Sequence, residues 1–243
     1  MKRRDFLRKS MAGLGSAALG SSLAAAEDDT ATFDPAETVE LGDTGVRVNR
    51  LGFGTGYRGR NRSSAQTRLG RQKFQSLLRF AYRRGITFFD AADLYGSHPH
   101  ISRVMSDDPR DSYTLVSKVW WREGALPTDK RPGADKVVKR FLQELDTDHI
   151  DVVQLHCVTS PKWPTHLSER MQELDKLKKQ GVIRAHGVSS HSLKGLKTAA
   201  EENWVDCVHA RINPFGAKMS QSPQKTIPVL RRIHDAGHLV ARH

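Results

Sequence analysis

The chain has 243 residues, of which 37% are apolar and 27% are charged, a composition typical of one folded domain rather than of a disordered or low-complexity chain. Lys and Arg number 39 against 27 Asp and Glu, which gives a formal charge of +12. A polyanionic partner therefore has to be considered. No cluster of Lys and Arg is interleaved with aromatic residues, however, so nucleic-acid binding is not predicted.

Residues 1–26 have the layout of a removable export signal, with a basic start, an uncharged stretch rich in Ala, Gly and Ser, and a small-residue end. The stretch is too short and too weakly apolar to span a bilayer comfortably, so no stable membrane span is expected. Its start resembles the twin-arginine export signal, because Arg3-Arg4 is followed by Phe6-Leu7. The resemblance implies that the twin-arginine machinery exports the folded protein to a periplasmic or other extracytoplasmic compartment. Cleavage after the small-residue end is predicted to leave Glu27 as the mature amino terminus.

Residues 27–37 are polar and acidic and are predicted to form a flexible leader, followed by one domain at 38–243. Apolar and polar residues alternate on both sides of Gly42-Asp43-Thr44-Gly45, which predicts a β-hairpin. A short strand at 51–54 then enters a glycine-rich turn. The turn lacks the GxGxxG spacing of a Rossmann dinucleotide-binding fold.

Apolar-faced helices alternate with short buried strands along the rest of the chain. After the strand at 51–54, further strands are predicted at 86–89, 113–118, 150–156, 182–189, 205–211 and 238–242. Helical stripes are predicted at 74–81, 137–145, 171–177, 193–199 and 226–236. Strands that alternate with helices at this spacing indicate parallel βαβ units and an α/β fold of the (β/α)8 TIM-barrel type.

The number of predicted strands is seven, whereas a closed barrel of this type has eight. The chain is therefore expected to stop before the eighth strand and to be poorly folded or inactive alone. The alternatives are a naturally closed seven-stranded variant and completion of the barrel by another chain.

Polar side chains stand at or just beyond the carboxyl ends of consecutive strands. Asp90 and Tyr95 follow the second strand, and Lys118 and His156 end the third and fourth. A tyrosine with a pKa near ~10 is a poor proton donor at neutral pH unless a nearby cation stabilises its phenolate. Lys118 can supply that cation, and Asp90 would keep the lysine protonated. The alternative for the stretch after the strand is a helix cap by Asp93 and a tyrosine that only packs.

These residues lie within an ordered set of motifs that resembles the aldo-keto reductase family. The motifs are Leu51-Gly52-Phe53-Gly54-Thr55-Gly56, Phe89-Asp90-Ala91-Ala92-Asp93-Leu94-Tyr95-Gly96, Ser117-Lys118-Val119, Asp151-Val152-Val153-Gln154-Leu155-His156 and Ile183-Arg184-Ala185-His186-Gly187-Val188-Ser189. The resemblance implies reduction of a small-molecule aldehyde or ketone. It implies that Tyr95 is the general acid–base, that Lys118 lowers its pKa, that Asp90 pairs with Lys118, and that His156 orients the substrate carbonyl.

The resemblance also implies a nicotinamide cofactor, NADPH or alternatively NADH. The residues that it places at the cofactor are Gly54, Thr55, Ser189, Ser190 and His209. Ser189 matches the family position that holds the nicotinamide carboxamide. Three positions depart from the family: Ser190 stands where Asn is usual, His209 where Gln is usual, and Arg242 where an aromatic residue stacks on the nicotinamide. These departures concern the geometry of the cofactor more than the catalytic acid.

Three alternative functions are a non-catalytic cofactor-binding barrel that acts as a sensor or interaction protein, a metal-dependent hydrolase on the same barrel, and an inactive fragment. The intact set of polar strand-end residues disfavours a sensor, and no HExxH motif supports a metal site. Cys157 and Cys207 are flanked by apolar strand residues, so core thiols are favoured over a disulfide. Trp120, Trp121 and Trp163 either line a substrate mouth or pack against loops.

Overall fold

The computed structural model describes residues 34–128, 131–213 and 221–237, together with the backbone of residues 239–242. The predicted export signal at 1–26 and residues 27–33 of the predicted leader lie outside this part. The predicted hairpin is present, with β1 (Thr38–Glu40) antiparallel to β2 (Arg47–Asn49). Gly42 and Gly45 have φ of 54° and 70°, a left-handed conformation that glycine adopts without a steric penalty.

Seven parallel strands form one sheet in the described residues, and their order in the sheet follows the chain. They are β3 (Phe53–Gly54), β4 (Phe88–Asp90), β5 (Thr114–Val119), β6 (Ile150–Leu155), β7 (Ile183–Ser190), β8 (Cys207–Ala210) and β9 (Leu239–Arg242). All seven predicted strands are therefore confirmed in the predicted order. Sequential parallel pairing is the arrangement of a (β/α)8 barrel.

The sheet curls, as a barrel requires. The ring of Phe88 on β4 lies 6.5 Å from the ring of His209 on β8, although three strands separate β4 from β8 in the sheet. Such a contact is made across the concave side of the sheet. The predicted fold class is therefore confirmed.

Helices cover the convex side of the sheet. Their bounds are α1 (Arg71–Arg83), α2 (His98–Met105), α3 (Ala134–Leu145), α4 (Trp163–His166), α5 (Ser168–Lys179), α6 (Leu193–Ala199) and α7 (Pro223–Asp235). The sequence does not predict α2, because Pro99 and the polar His98 and His100 obscure its short apolar face of Ile101, Val104 and Met105. No helix in the described ranges is long and apolar enough to cross a membrane.

Alternate residues of each strand point to the concave side and form layers there. The layer at the amino ends of the strands is mainly apolar and packs against Leu41, Val46 and Val48 of the hairpin region. Its strand residues are Phe88, Val116, Val152, Ala185 and Cys207. The hairpin therefore covers the amino-terminal end of the curled sheet, and Cys207 is the core thiol that the sequence predicts.

Further along the strands, by two residues on β4, β5, β6 and β8 and by four on β7, the concave side carries polar side chains that are almost completely buried. These side chains are Asp90, Lys118, Gln154, Ser189 and His209, none of them more than 6% exposed. The interior of such a barrel is ordinarily filled by branched aliphatic residues. Because burying polar groups is costly unless they are hydrogen-bonded, this layer marks the carboxyl-terminal end of the strands as the candidate site.

Candidate active site

Lys118 and Asp90 form a buried ion pair at the centre of the polar layer. Lys118 is fully buried, and its Nζ donates hydrogen bonds to Oδ1 of Asp90 and, over 3.0 Å, to the carbonyl oxygen of Ala91. A buried ammonium group needs such partners to remain charged. The predicted pairing of Asp90 with Lys118 is therefore present.

The ring of Tyr95 lies between this lysine and the glycine-rich turn. Lys118 Nζ is 5.4 Å from the centroid of the Tyr95 ring, within the range of a cation–π interaction. On the turn, a Cβ atom at Gly56 or Gly59 would overlap the same ring. The ring of Tyr95 fits here because Gly56 and Gly59 have no side chains. Packing against this ring therefore accounts for the glycine at position 56.

The hydroxyl of Tyr95 faces the imidazole of His156. Tyr95 Oη lies 3.5 Å from His156 Nε2, which is long for a hydrogen bond, and the two rings meet edge to face. The ring of Trp120 also meets the imidazole edge to face, at 5.4 Å between centroids. Trp121 Nε1 donates to the carbonyl oxygen of His156 over 2.8 Å. These contacts hold the imidazole beside the phenol.

Tyr95 and His156 line a cavity of about 540 Å³ at the carboxyl ends of the strands. Four of its lining residues, Trp120, His156, His191 and Arg211, are each the residue directly after the last residue of β5, β6, β7 and β8. Alternation along each strand therefore continues one residue past its end and points these side chains into the cavity.

Sequence reasoning misses Cys157, His191 and Arg211, all of which line the cavity. A sequence pattern could have pointed to His191 and Arg211, because each lies two residues after a residue of the buried polar layer, Ser189 and His209 respectively. Cys157 is half-buried and is a free thiol, as is Cys207. The prediction of a core position is therefore wrong for Cys157, because a left-handed backbone at φ 65° turns the chain there.

The three tryptophans divide between the two predicted roles. Trp120 lines the cavity, whereas Trp163 is 1% exposed and packs in the core. Trp121 is partly buried and packs against the core. An aromatic cavity wall is therefore present, and one of the three residues supplies it.

The pKa of the Tyr95 phenol lies well above its ordinary value of 10.0. Burial is the main cause, the carboxylate of Asp90 adds to it, and the guanidinium of Arg211 opposes it. The phenol is therefore protonated at neutral pH and can donate its proton. The lowering of this pKa by Lys118 stays a prediction, since the lysine faces the ring and is bonded to Asp90 and Ala91.

Among the residues predicted to bind a cofactor, Gly54 borders the cavity, and a Cβ there would meet no atom within 4 Å. Ser189 faces the concave side, where its Oγ accepts a hydrogen bond from the Cys157 backbone N–H over 2.8 Å. In this contact Ser189 is an acceptor, so its own proton can still be donated. Gly54 thus leaves room for a bound group, whereas Ser189 is 1% exposed and does not line the cavity.

The other predicted cofactor residues use their polar atoms within the protein. Thr55 Oγ1 donates to the carbonyl of Asp90, and His209 Nδ1 lies 2.6 Å from Gln154 Oε1. Ser190 is on the opposite side of its strand from Ser189, and its hydroxyl donates to the carbonyl of Val158 over 2.6 Å. The structure does not bring these three residues to the cavity wall. The side chain of Arg242 lies outside the described residues.

A chain of polar contacts anchors the loop that bears Tyr95. Arg140 bridges Asp93 of that loop to Glu144, with N–O distances of 2.6 Å on both sides. Glu144 in turn binds His98 Nδ1 at 2.7 Å, and His98 Nε2 lies 2.9 Å from the hydroxyl of Ser117, which precedes Lys118. Asp93 is therefore an ion-pair anchor, and the helix-cap alternative is wrong.

Glu144→Gln is expected to reduce stability and to flatten its acid dependence. Burial acts to raise the pKa of Glu144, but the hydrogen bonds from His98 and Arg140 outweigh it and lower the pKa from 4.5 to about 2. A lowered pKa stabilises the fold above the unfolded value, and this contribution, roughly 3 kcal/mol, is lost as the pH falls from 4.5 towards 2.

Urea unfolding at neutral and at acid pH measures this contribution. Glu201→Gln is the matched control, because Glu201 is 61% exposed and its ion pair with Arg232 is a surface contact expected to contribute little. Equal stability losses in the two variants, or an unchanged acid dependence in Glu144→Gln, would contradict the assignment.

No group of three or more His, Cys, Asp or Glu side chains that could hold a metal ion occurs within the described ranges.

The parallel curled sheet and the cavity at its carboxyl ends define a barrel protein of the (β/α)8 class with its candidate site at the strand ends. The chain belongs to the Aldo/keto reductase family, whose sequence profile matches residues 50–240.

Individual relatives agree with this membership. The chain is 29% identical over 171 residues to "Probable aldo-keto reductase 1" of Glycine max, and the aligned region covers 67% of this chain and 47% of that protein. It is 26% identical over 191 residues to the NADH-specific methylglyoxal reductase of Escherichia coli, covering 71% of this chain and 58% of the relative. The chain therefore spans about half the length of the curated relatives it matches.

Among solved structures, the aldo/keto reductase from Klebsiella pneumoniae in complex with NADP and acetate has a TM-score of 0.61 with this chain at 23% identity. The likeness covers 84% of this chain and 66% of that chain. At this level of identity it shows a shared fold.

Proposed function

We propose that this protein reduces an aldehyde or ketone with hydride from a nicotinamide cofactor, and that Tyr95 is the general acid. The observation that supports this most directly is the pairing of Tyr95 Oη with His156 Nε2, 3.5 Å apart on the wall of a 540 Å³ cavity. A carbonyl oxygen placed between these two groups would meet a proton donor and a hydrogen-bonding imidazole. Membership of the Aldo/keto reductase family agrees with the same chemistry.

In this proposal Tyr95 passes its phenol proton to the carbonyl oxygen as negative charge develops there. The proton transfer leaves a phenolate, which the ammonium of Lys118 beneath the ring would stabilise. Asp90 holds that ammonium in place through their ion pair. Because burial raises the pKa of Tyr95, the resting phenol carries the proton that reduction uses.

A bound nicotinamide cofactor, NADPH or alternatively NADH, would supply the hydride. Gly54 is the predicted cofactor residue that fits best, because it borders the cavity and leaves open space there. Ser189 has a hydroxyl proton to donate but does not line the cavity. Thr55, Ser190 and His209 would act by holding the surrounding strand ends, through bonds to Asp90, Val158 and Gln154.

The test uses the full chain with NADPH or NADH and a panel of aldehydes and ketones. Carbonyl-dependent loss of the reduced nicotinamide absorbance is the expected result. Nucleotide binding without turnover of any carbonyl compound would instead favour the cofactor-binding sensor. Absence of both would favour the inactive-fragment alternative.

We also propose export by the twin-arginine route, which rests on Arg3-Arg4 and the weakly apolar stretch behind them. Replacing both arginines by lysine keeps the charge. If the export machinery recognises the two arginines themselves, the precursor is expected to stay in the cytoplasm. Fractionation of cells and mass analysis of the amino terminus measure the outcome. Normal export of the Lys-Lys variant would contradict the proposal.

A further inference from the structure

The charge on the cavity wall has one sign. The charged groups of its lining are the guanidinium groups of Arg58 and Arg211, and no Asp or Glu of the described residues lines it. The imidazoles of His156 and His191 add hydrogen-bonding groups to the same wall. The nearby carboxylate of Asp90 lies beneath Tyr95 in an ion pair with Lys118, which offsets its charge. A cavity with this lining favours an anionic ligand over a neutral one.

Arg211 is the cation that bears most directly on the site. It is half-buried, and no carboxylate of the described residues forms an ion pair with it. Arg110 and Arg140, which are also half-buried, are paired with Asp151 and Asp93. The following segment, 214–220, contains no Asp or Glu in its sequence. Within the described residues this half-buried guanidinium therefore has no carboxylate partner, and an anionic ligand would offset the cost of its partial burial.

Arg211 also lies within electrostatic reach of the proposed reaction centre. It extends past β8 on the same side as His209, and its charge opposes the effect of burial on both the Tyr95 phenol and the Cys157 thiol. Arg211, Tyr95 and His156 line the same cavity of about 540 Å³, so one small molecule bound there can contact all three.

We propose that the substrate is a carbonyl compound that also carries a carboxylate, and that Arg211 binds this carboxylate while Tyr95 and His156 hold the carbonyl oxygen. The inference rests on the proposed function and names its substrate class. Guanidinium suits this task because its parallel N–H groups bind a carboxylate in a bidentate manner. The phosphates of the cofactor are the other anions that Arg211 could meet, and the experiment separates the two.

The probes are 3- and 4-carboxybenzaldehyde and the corresponding formylbenzamides, which have nearly the same shape and differ in charge. For the full chain we expect kcat/KM to be at least tenfold higher for an acid than for its amide. In Arg211→Gln this ratio should fall close to one, and Arg211→Lys should keep part of it, because it retains the charge but loses the planar fork. Because the ratio compares kcat/KM of the acid with that of its amide, a change in the acidity of Tyr95 that affects both substrates equally does not alter it. Arg232→Gln, at an exposed position, is the control and should keep the full ratio.

Calorimetric titration of the same compounds with the full chain and NADP+ gives a readout that does not require turnover. Tighter binding of the acid than of the amide by the wild type, with loss of this difference in Arg211→Gln, supports the inference. It does so even if no carbonyl compound is reduced, because absence of turnover counts against the proposed function alone. Equal binding of acid and amide by the wild type overturns it. A tenfold loss of NADPH affinity in Arg211→Gln with an unchanged acid-to-amide ratio also overturns it, because Arg211 would then hold the cofactor.

Discussion

Tyr95→Phe is expected to lower the rate of carbonyl reduction by roughly 10²- to 10⁴-fold, the usual contribution of a positioned general acid. The substitution removes the proton and preserves the ring, which packs against Gly56 and Gly59. The fold and the affinity for the nucleotide should therefore change little. Steady-state kinetics and nucleotide titration of the same preparation measure both properties.

Tyr82→Phe is the matched control, because it also removes a tyrosine hydroxyl, one that lies 2.8 Å from Ser112 Oγ on the helical side of the sheet. It should keep full turnover. The wild-type pH profile provides a second check: since burial raises the pKa of Tyr95, the acid stays protonated and kcat/KM for reduction should not fall through its ionisation below about pH 10. Retention of turnover by Tyr95→Phe within a few-fold would rule out its role as the acid.

Lys118→Met is expected to abolish turnover and to destabilise the fold by about 3–5 kcal/mol, the usual cost of removing one partner of a buried ion pair. Lys118 is 0% exposed, and its loss removes the cation that faces the Tyr95 ring and holds Asp90. Without that cation the phenolate formed during the reaction would be less stable. Kinetics and urea unfolding measure the two effects separately.

The double variant Lys118→Met with Asp90→Asn distinguishes a structural from a catalytic role. Removing both charges should recover most of the lost stability, because no charge then remains at this position of the polar layer. It should not recover turnover. If the double variant regained both stability and turnover, Lys118 would act only as a structural partner of Asp90.

Several features of the site follow from local sequence pattern. Strands 86–89, 113–118 and 150–156 are short apolar runs that end in polar residues, and parallel strands bring their carboxyl ends to one edge. Asp90, Lys118 and His156 could therefore be predicted as neighbours, and the structure places Lys118 against Asp90 and His156 against Tyr95.

Other features depend on contacts between residues far apart in the chain. Alternation alone does not say which of two adjacent residues faces the cavity, so Ser190 and His191 are assigned only once β7 is paired with β8. Helix α2 and its polar chain from His98 to Glu144 arise from packing between elements, which a short helix with mixed polarity does not reveal.

The sequence by itself determined the parallel strand order, the hairpin and the polar residues at the strand ends, because these depend on local periodicity and on the rule that connected parallel strands align. Only the tertiary structure decided that Tyr95 is clamped between Lys118 and two glycines, that Cys157 leaves the core, and that Arg211 enters the cavity. The physical reason is that curvature of the sheet sets which strand ends converge, and curvature comes from the packing of the whole barrel rather than from any one segment.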